Sequence, residues 1–306
     1  MFPNLTSIQV EGFAEPVALH TYGMMLLLAF GAACAVAHGR IRKVGTNPDL
    51  LLPILGWAIV LGIFGARLLH FLGAEPGVLL EDPLVLFKLN QGGMAFFGGV
   101  IAATIGCLVV AKRKGEHVWK FADAIAPTVL IGLAVGRLGC FAAGCCHGRT
   151  WDPGEVSTLW ELPGGFVLLG SGFPWLALQF KAGVGVGNLH GVPLYPSQLW
   201  EAGGALLVFG FLSWIWIYRR RFDGQVLGWL LICYPLLRAT LETFRGDTLR
   251  GVAHFGLFST SQLVSIPVAL GGVAILILRR KHGLAPEAPW EPPEDDLLVD
   301  LEDPDY

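Results

Sequence analysis

Seven apolar runs, each long enough to cross a bilayer, limit this chain more than any motif in it. A hydrocarbon core ~30 Å thick needs about 20 apolar helical residues. Runs of that kind fall at about residues 17 to 38, 50 to 73, 93 to 111, 119 to 141, 198 to 218, 225 to 244 and 260 to 278. A backbone immersed in hydrocarbon must satisfy its own hydrogen bonds, and helices of this length do so. With 54% hydrophobic and 15% charged residues and a mean hydropathy of +0.59, the chain reads as an all-α polytopic membrane protein of about seven transmembrane helices.

The basic residues give orientation, because Lys and Arg accumulate in short cytoplasmic loops. Clusters occur at Arg40, Arg42 and Lys43, at Lys112, Arg113 and Lys114, at Arg219, Arg220 and Arg221, and at Arg279, Arg280 and Lys281, after runs one, three, five and seven. The alternate connections hold Lys88, then Arg149 and Lys181, then Arg245 and Arg250, and the first seventeen residues hold neither Lys nor Arg. The expected topology has the N-terminus outside and the C-terminus in the cytoplasm. Glu11 and Glu15 stand where a cleaved signal peptide would be basic, so the first run is expected to anchor itself.

Two segments lie outside the helical plan. The connection at 147–197 carries Trp151, Trp160 and Trp175 among Gly and Pro and reads as a small extracytoplasmic cap with tryptophans at headgroup level. Residues 283–306, rich in Pro, Asp and Glu, cannot bury enough apolar surface to fold and read as a disordered cytoplasmic tail, leaving 1–282 as the membrane domain. No repeat of 20 to 50 residues supports a solenoid or an inverted-repeat transporter. There is no nucleotide loop, nucleic-acid patch or convincing metal or cofactor motif.

Polar residues inside apolar runs mark the candidate site. Arg67, Arg137 and Arg238 lie in such runs; each needs a buried anion or a polar cavity, and three together point to a phosphorylated lipid. In AVGRLGCFAAGCCHGR, residues 134–149, glycines that include Gly148 open space around Arg137. A guanidinium meets phosphate oxygens bidentately and keeps its proton, although pairing with a carboxylate for structure is the competing role. In CYPLLRATLETFRGD, residues 233–247, Tyr234, Arg238, Glu242 and Arg245 share one helical stripe. Glu242 can neutralise Arg238 or Arg245, as a lipid grip or as an ion-pair ladder.

Three more segments converge with these. In LYPSQLWEA, Ser197 is placed to cap the next helix, and Gln198 and Glu201 to meet an intramembrane arginine. In NQGGMAFFGGVIAA, Gly98 and Gly99 fit either a re-entrant mouth or tight helix contact. His20 and Tyr22 in run one and Arg67 and His70 in run two complete the set. Cys140, Cys145 and Cys146 cluster beside His147; small-residue filling is the first reading, a disulfide the second and a metal the third, because CxxxxCCH lacks paired CxxC spacing. Cys34, Cys107 and Cys233 read as buried residues within the spans.

In this order the segments HTYG (20–23), GARLLHF (65–71), QGGMAFFGG (91–99), DAIAP (123–127), GRLGCFAAGCCHG (136–148), YPSQLWE (195–201), YPLLRATLETFR (234–245) and TSQLVSIP (260–267) resemble the prolipoprotein diacylglyceryl transferase family of bacterial inner membranes. The resemblance implies a multi-pass inner-membrane enzyme of lipoprotein biosynthesis. Its partners would be phosphatidylglycerol and a prolipoprotein signal peptide bearing a lipobox cysteine. The diacylglyceryl group would pass to that thiol with release of glycerol phosphate.

By the same resemblance Arg137 matches the signature arginine and Arg238 the second essential one. Tyr22, Tyr234, Glu242 and Gly148 fall on functional positions. Arg67, Gly98, Gly99, Gln198 and Glu201 join Arg137, Gly148, Tyr234, Arg238 and Glu242 as expected lipid contacts, and Arg137, Arg238, His147 and Tyr22 as the expected catalytic set.

Departures from the family pattern are specific. Phe97 stands where the glycine-bracketed loop usually has a histidine, Cys140, Ala143 and Cys145 replace signature polar residues, His70 replaces a tyrosine, and Tyr195 replaces the histidine before PSQ. His20, His70 and His147 are the substitutes for the missing base, with His147 first because it shares a segment with Arg137. A thiol acceptor is itself a good nucleophile and lowers the demand for that base. The alternative is a phospholipid-binding membrane protein of the same fold that kept the arginines and lost the chemistry.

Overall fold

The computed structural model describes residues 4–8, 17–74, 76–88, 95–150, 157–162, 166–170, 176–180, 192–244 and 260–285. Among the described residues eight α-helices run in order: α1 (Thr21–Lys43), α2 (Leu51–Ala74), the short α3 (Pro76–Glu81), α4 (Phe96–Arg113), α5 (Val118–Ala143), α6 (Ser197–Trp214), α7 (Gln225–Glu242) and α8 (Thr260–Arg279). All but α3 coincide with the predicted apolar runs. Helices within Thr21–Lys43, Pro48–Leu72, Val118–Ala143, Ser197–Arg219 and Gln262–Arg279 are each long and apolar enough to cross a membrane. The chain is a helical, multi-pass membrane protein.

Strands occupy only connections. β1 (Asn4–Ile8) and β2 (Val17–His20) pair antiparallel before α1. Within the expected cap, β3 (Ser157–Leu162), β4 (Phe166–Gly170) and β5 (Leu176–Phe180) form an antiparallel sheet in the order β3-β4-β5. The apolar GGFVLLGSGF stretch therefore supplies the central strand of a small sheet, with hydrogen bonds on both sides. Trp151 and Trp175, Arg245 and the proposed disordered tail beyond Ala285 lie outside the described residues.

The helix ends follow from charge. α1 ends on Arg40, Arg42 and Lys43 and α4 on Lys112 and Arg113, so the cations meet the negative end of each helix dipole.

Two compact units make up the chain: Met1–Val36 with Ala126–Leu284, and Ala37–Ile125 with Ala285–Tyr306. In the second unit α2 lies directly on α4. A Cβ on Gly65 would collide with Ala102 and the Gly98 carbonyl, and one on Gly98 with the Gly65 carbonyl. In lipid, where apolar surface gives no drive for helices to associate, such close backbone approach supplies the contact. Gly98 and Gly99 are thus helix-contact residues in the first turn of α4, the second of the two roles their spacing allowed.

Arg67 belongs to this unit and is fully buried, 0% exposed. Its Nη2 donates to the Val85 carbonyl at 2.6 Å, and its guanidinium lies 5.2 Å from the centroid of Phe71.

In the first unit α7 and α8 meet through glycines, since a Cβ on Gly272 would fall 2.7 Å from the Gly228 carbonyl. α5, α6 and α7 share a core built from Ala126, Leu130, Ala134, Ala202, Ala205 and Val226. The small side chains on α5 and α6 let two polar residues, Arg137 and Glu201, meet one turn farther along. Cys34, Cys107 and Cys233 are half-buried and not buried as expected, because neighbouring helices only partly cover the faces that carry them.

Candidate functional site

α5 carries Arg137 in its penultimate turn, and α6 carries Glu201 in its second. Their Nη2 and Oε1 atoms are 2.9 Å apart, with side-chain exposures of 16% and 3%. Glu201 is therefore the arginine's carboxylate partner, one of the two candidates the sequence offered.

The pair satisfies charge better than geometry. Arg137 Nε and Glu201 Oε1 are both buried without a hydrogen-bond partner among the described residues, so the 2.9 Å contact is an ion pair out of hydrogen-bond alignment. A buried charged donor that its carboxylate does not fully engage keeps capacity for a further acceptor. The electrostatic neighbours of Arg137 are Glu201, Cys140, Cys146 and Tyr234, which brings α5, α6 and α7 to one place.

α7 supplies the second arginine. Arg238 Nη2 lies 2.5 Å from Glu242 Oε2 one turn on, both side chains 11% exposed. The i,i+4 stripe read from the sequence is thus occupied by an ion pair along one helix. Tyr234 stands one turn before Arg238 on the same helix and within electrostatic reach of Arg137. Tyr22 opens α1, 43% exposed, and its phenol is an electrostatic neighbour of Arg137, Cys140, Cys145 and Cys146.

The turn after α5 is shaped by local chemistry. Gly144 has φ 68°; its N–H donates to the Phe141 carbonyl at 3.1 Å, and the Cys145 N–H to the Cys140 carbonyl at 3.1 Å. Those two bonds make a Schellman ending. Cys146 then takes φ 59°, a left-handed backbone that non-glycine residues adopt at a cost. The reversal brings the Sγ atoms of Cys140, Cys145 and Cys146 within 4.8 Å of one another. Neighbouring thiols and burial push the Cys145 thiol up from its ordinary value.

Two sequence expectations fail at this turn. Ser197 does not cap α6, whose N-cap is Pro196 with no side-chain bond; its hydroxyl donates to the Cys146 carbonyl at 3.0 Å. Gln198 does not meet an arginine: its Nε2 donates to the Cys145 carbonyl at 2.9 Å, and its Oε1 is buried without a partner among the described residues. Both side chains serve carbonyls that the left-handed turn leaves without helical donors. Spacing along one segment could not reveal a bond that spans fifty residues.

Gly148 sits at a seam. Its N–H donates to the Tyr195 carbonyl at 2.9 Å, and the next N–H, of Arg149, to the Phe244 carbonyl at 3.0 Å. A Cβ on Gly148 would lie 2.5 Å from the Tyr195 Cβ and 2.9 Å from the Phe244 carbonyl oxygen, so only glycine fits. Tyr195, Trp200 and Phe244 close the seam with ring centroids 5.4 to 5.6 Å apart. His147 turns its Nδ1 to the Gly148 carbonyl at 2.9 Å. His20 lies in β2 and Phe97 in the first turn of α4.

Comparison with known proteins places this arrangement. The family model described as prolipoprotein diacylglyceryl transferase matches residues 11–278. Among similar proteins, one from Sodalis glossinidius is 34% identical over 85% of this chain and 89% of its own length. One from Erwinia tasmaniensis is 35% identical over 86% and 88%, and one from Glaesserella parasuis 32% identical over 90% and 94%. All three are named phosphatidylglycerol–prolipoprotein diacylglyceryl transferase.

Proposed function

The chain belongs to the prolipoprotein diacylglyceryl transferase family, and on that premise we propose that it moves the diacylglyceryl group of phosphatidylglycerol onto the lipobox cysteine of a prolipoprotein. The sulfur attacks the glyceryl carbon that bears the phosphate ester. The carbon–oxygen bond breaks with its electron pair going to the phosphate, and glycerol phosphate leaves; the thiol's proton passes to a base, His147 in this proposal. The hard part of this reaction is charge on the leaving group, and fixed guanidinium donors stabilise it without reorganising.

The observation that supports the assignment to residues is the state of Arg137: buried, facing the Glu201 carboxylate out of hydrogen-bond alignment, with Cys140, Cys146 and Tyr234 as electrostatic neighbours. A guanidinium held in this way can donate to a phosphate oxygen. Arg238, held by Glu242, and the Tyr234 and Tyr22 phenols surround the same lipid headgroup in this proposal. Gln198 Oε1, buried without a partner among the described residues, is an acceptor suited to a headgroup hydroxyl. Gly148 contributes shape, whereas Gly98, Gly99 and Arg67 contribute through the unit they stabilise. His147 takes the role of base left by Phe97.

The topology we propose has seven spans with an outside N-terminus and a cytoplasmic C-terminus in the bacterial inner membrane. Residues 1–282 form the transferase domain, 147–197 its extracytoplasmic segment, and 283–306 a disordered cytoplasmic tail. Purified protein given labelled phosphatidylglycerol and a lipobox peptide is expected to yield a thioether-linked product and glycerol phosphate. Reversible lipid binding with no product would overturn the proposal in favour of a lipid-binding protein.

A further inference from the structure

The turn between α5 and α6 holds a constellation that phosphoryl-ester chemistry does not require. Cys140, Cys145 and Cys146 bring three sulfur atoms within 4.8 Å of one another. Small-residue filling explains each cysteine singly, but it does not explain why Cys146 occupies a left-handed backbone at φ 59°. A disulfide would use two of the sulfurs and strand the third, and Cys145 and Cys146 are adjacent, a poor geometry for bridging each other.

We propose that Cys140, Cys145 and Cys146 form a binding site for a soft closed-shell cation, Zn2+ or Cu+, with three protein thiolates and one open position.

Bond lengths fit the site. Zinc–thiolate bonds of about 2.3 Å in tetrahedral array put sulfurs about 3.8 Å apart, so the trio closes around an ion by small side-chain rotations. The scaffold is built to hold it: Ser197 Oγ and Gln198 Nε2 pin the carbonyls of Cys146 and Cys145 at 3.0 and 2.9 Å. Two Schellman bonds fix Cys145 to the end of α5. Supporting bonds of this kind, which orient ligands without touching the metal, are what a metal site needs from its surroundings.

Charge also fits. Three thiols plus a divalent ion give a tris-thiolate complex of charge −1 and three released protons, and Arg137 is an electrostatic neighbour of Cys140 and Cys146. The thiols give up those protons as they take the ion. Thiolate ligands select zinc and cuprous copper over harder cations.

The test uses the full-length reduced protein in detergent, with Zn2+ and, as a spectroscopic probe, Co2+. Wild-type protein is expected to retain one ion per chain after free metal is removed, and with Co2+ to show thiolate-to-metal charge-transfer absorption. Cys145→Ser should weaken retention by about tenfold or more, while a combined Cys34→Ser, Cys107→Ser and Cys233→Ser variant should retain the ion unchanged.

Because a cluster variant can fail to insert, a second readout stays with wild-type protein: bound Zn2+ should shield Cys140, Cys145 and Cys146, three of the six cysteines, from maleimide. No retained ion, equal retention in Cys145→Ser, shielding mapped to other cysteines, or a disulfide within the trio that on reduction takes up no metal would each overturn the site. None of these readouts depends on transfer activity, so failure of the transferase proposal is seen separately.

Discussion

Arg67 and Arg137 are both arginines buried within apolar helices, and the two units treat them oppositely. In its unit Arg67 is 0% exposed, bonded to the Val85 carbonyl and set against the Phe71 ring. That is how a guanidinium is used to tie a helix to the connection that follows it. In the other unit Arg137 faces the Glu201 carboxylate out of hydrogen-bond alignment, with Cys140, Cys146 and Tyr234 as electrostatic neighbours. The difference teaches that an intramembrane arginine is not a ligand site by position alone; a carbonyl and a ring make it a tie, whereas a facing carboxylate that it does not fully engage makes it a grip.

The largest effect that would test this contrast is Arg137→Ala, expected to lower transfer by roughly 100- to 1000-fold while the protein still inserts. Turnover within a few-fold of wild type would end the grip reading. Next comes Arg67→Leu: loss of a buried hydrogen bond to a charged donor should cost about 1.5–3 kcal/mol of stability. The surviving folded fraction should keep its KM for phosphatidylglycerol. A stable Arg67→Leu protein with a raised KM would erase the distinction between the two arginines.

Glycine substitutions sharpen it further. Gly98→Ala forces Cβ into the Gly65 carbonyl and Gly148→Ala into Tyr195, and overpacking of this kind costs about 1–3 kcal/mol. Thermal unfolding should show the loss in both, with turnover per folded molecule reduced only for Gly148→Ala. The smallest effect belongs to the exposed Lys88–Asp82 pair, 2.5 Å apart with side chains 46% and 41% exposed.

A hydrogen bond from Lys88 holds the Asp82 carboxyl below its ordinary value. A depressed carboxyl contributes above its unfolded pKa and loses that contribution as pH falls through its folded one. Asp82→Asn should therefore be indistinguishable from wild type in acid below that range and differ only slightly at neutral pH, as exposed pairs do. A large loss at neutral pH would show this connection to be more than a solvated loop.

The helices were legible in the sequence because hydrocarbon thickness imposes a length and basic residues mark the ends. All seven predicted runs coincide with helices, and the Arg137–Glu201 and Arg238–Glu242 pairs followed from the cost of burying a charge. What escaped depended on backbone conformation. Nothing in CxxxxCCH announces a left-handed Cys146, and without that turn the three sulfurs have no reason to meet. Ser197 and Gln198 were misread for the same reason, since the carbonyls they serve exist as orphans only after the chain reverses. The small β3-β4-β5 sheet escaped because its apolar stretch, broken by Gly and Pro, was too short to span and too interrupted to show alternation.

The seam at Gly148 has a dynamic consequence. Two successive amides, of Gly148 and Arg149, are bonded to carbonyls on either side, one just before α6 and one just after α7. Exchange at Gly148 requires the turn after α5 to part from the entry to α6, and exchange at Arg149 requires it to part from the end of α7. Deuterium uptake at those two amides is therefore a local gauge of opening at the seam, one that would slow whenever an occupant clasps the helix ends.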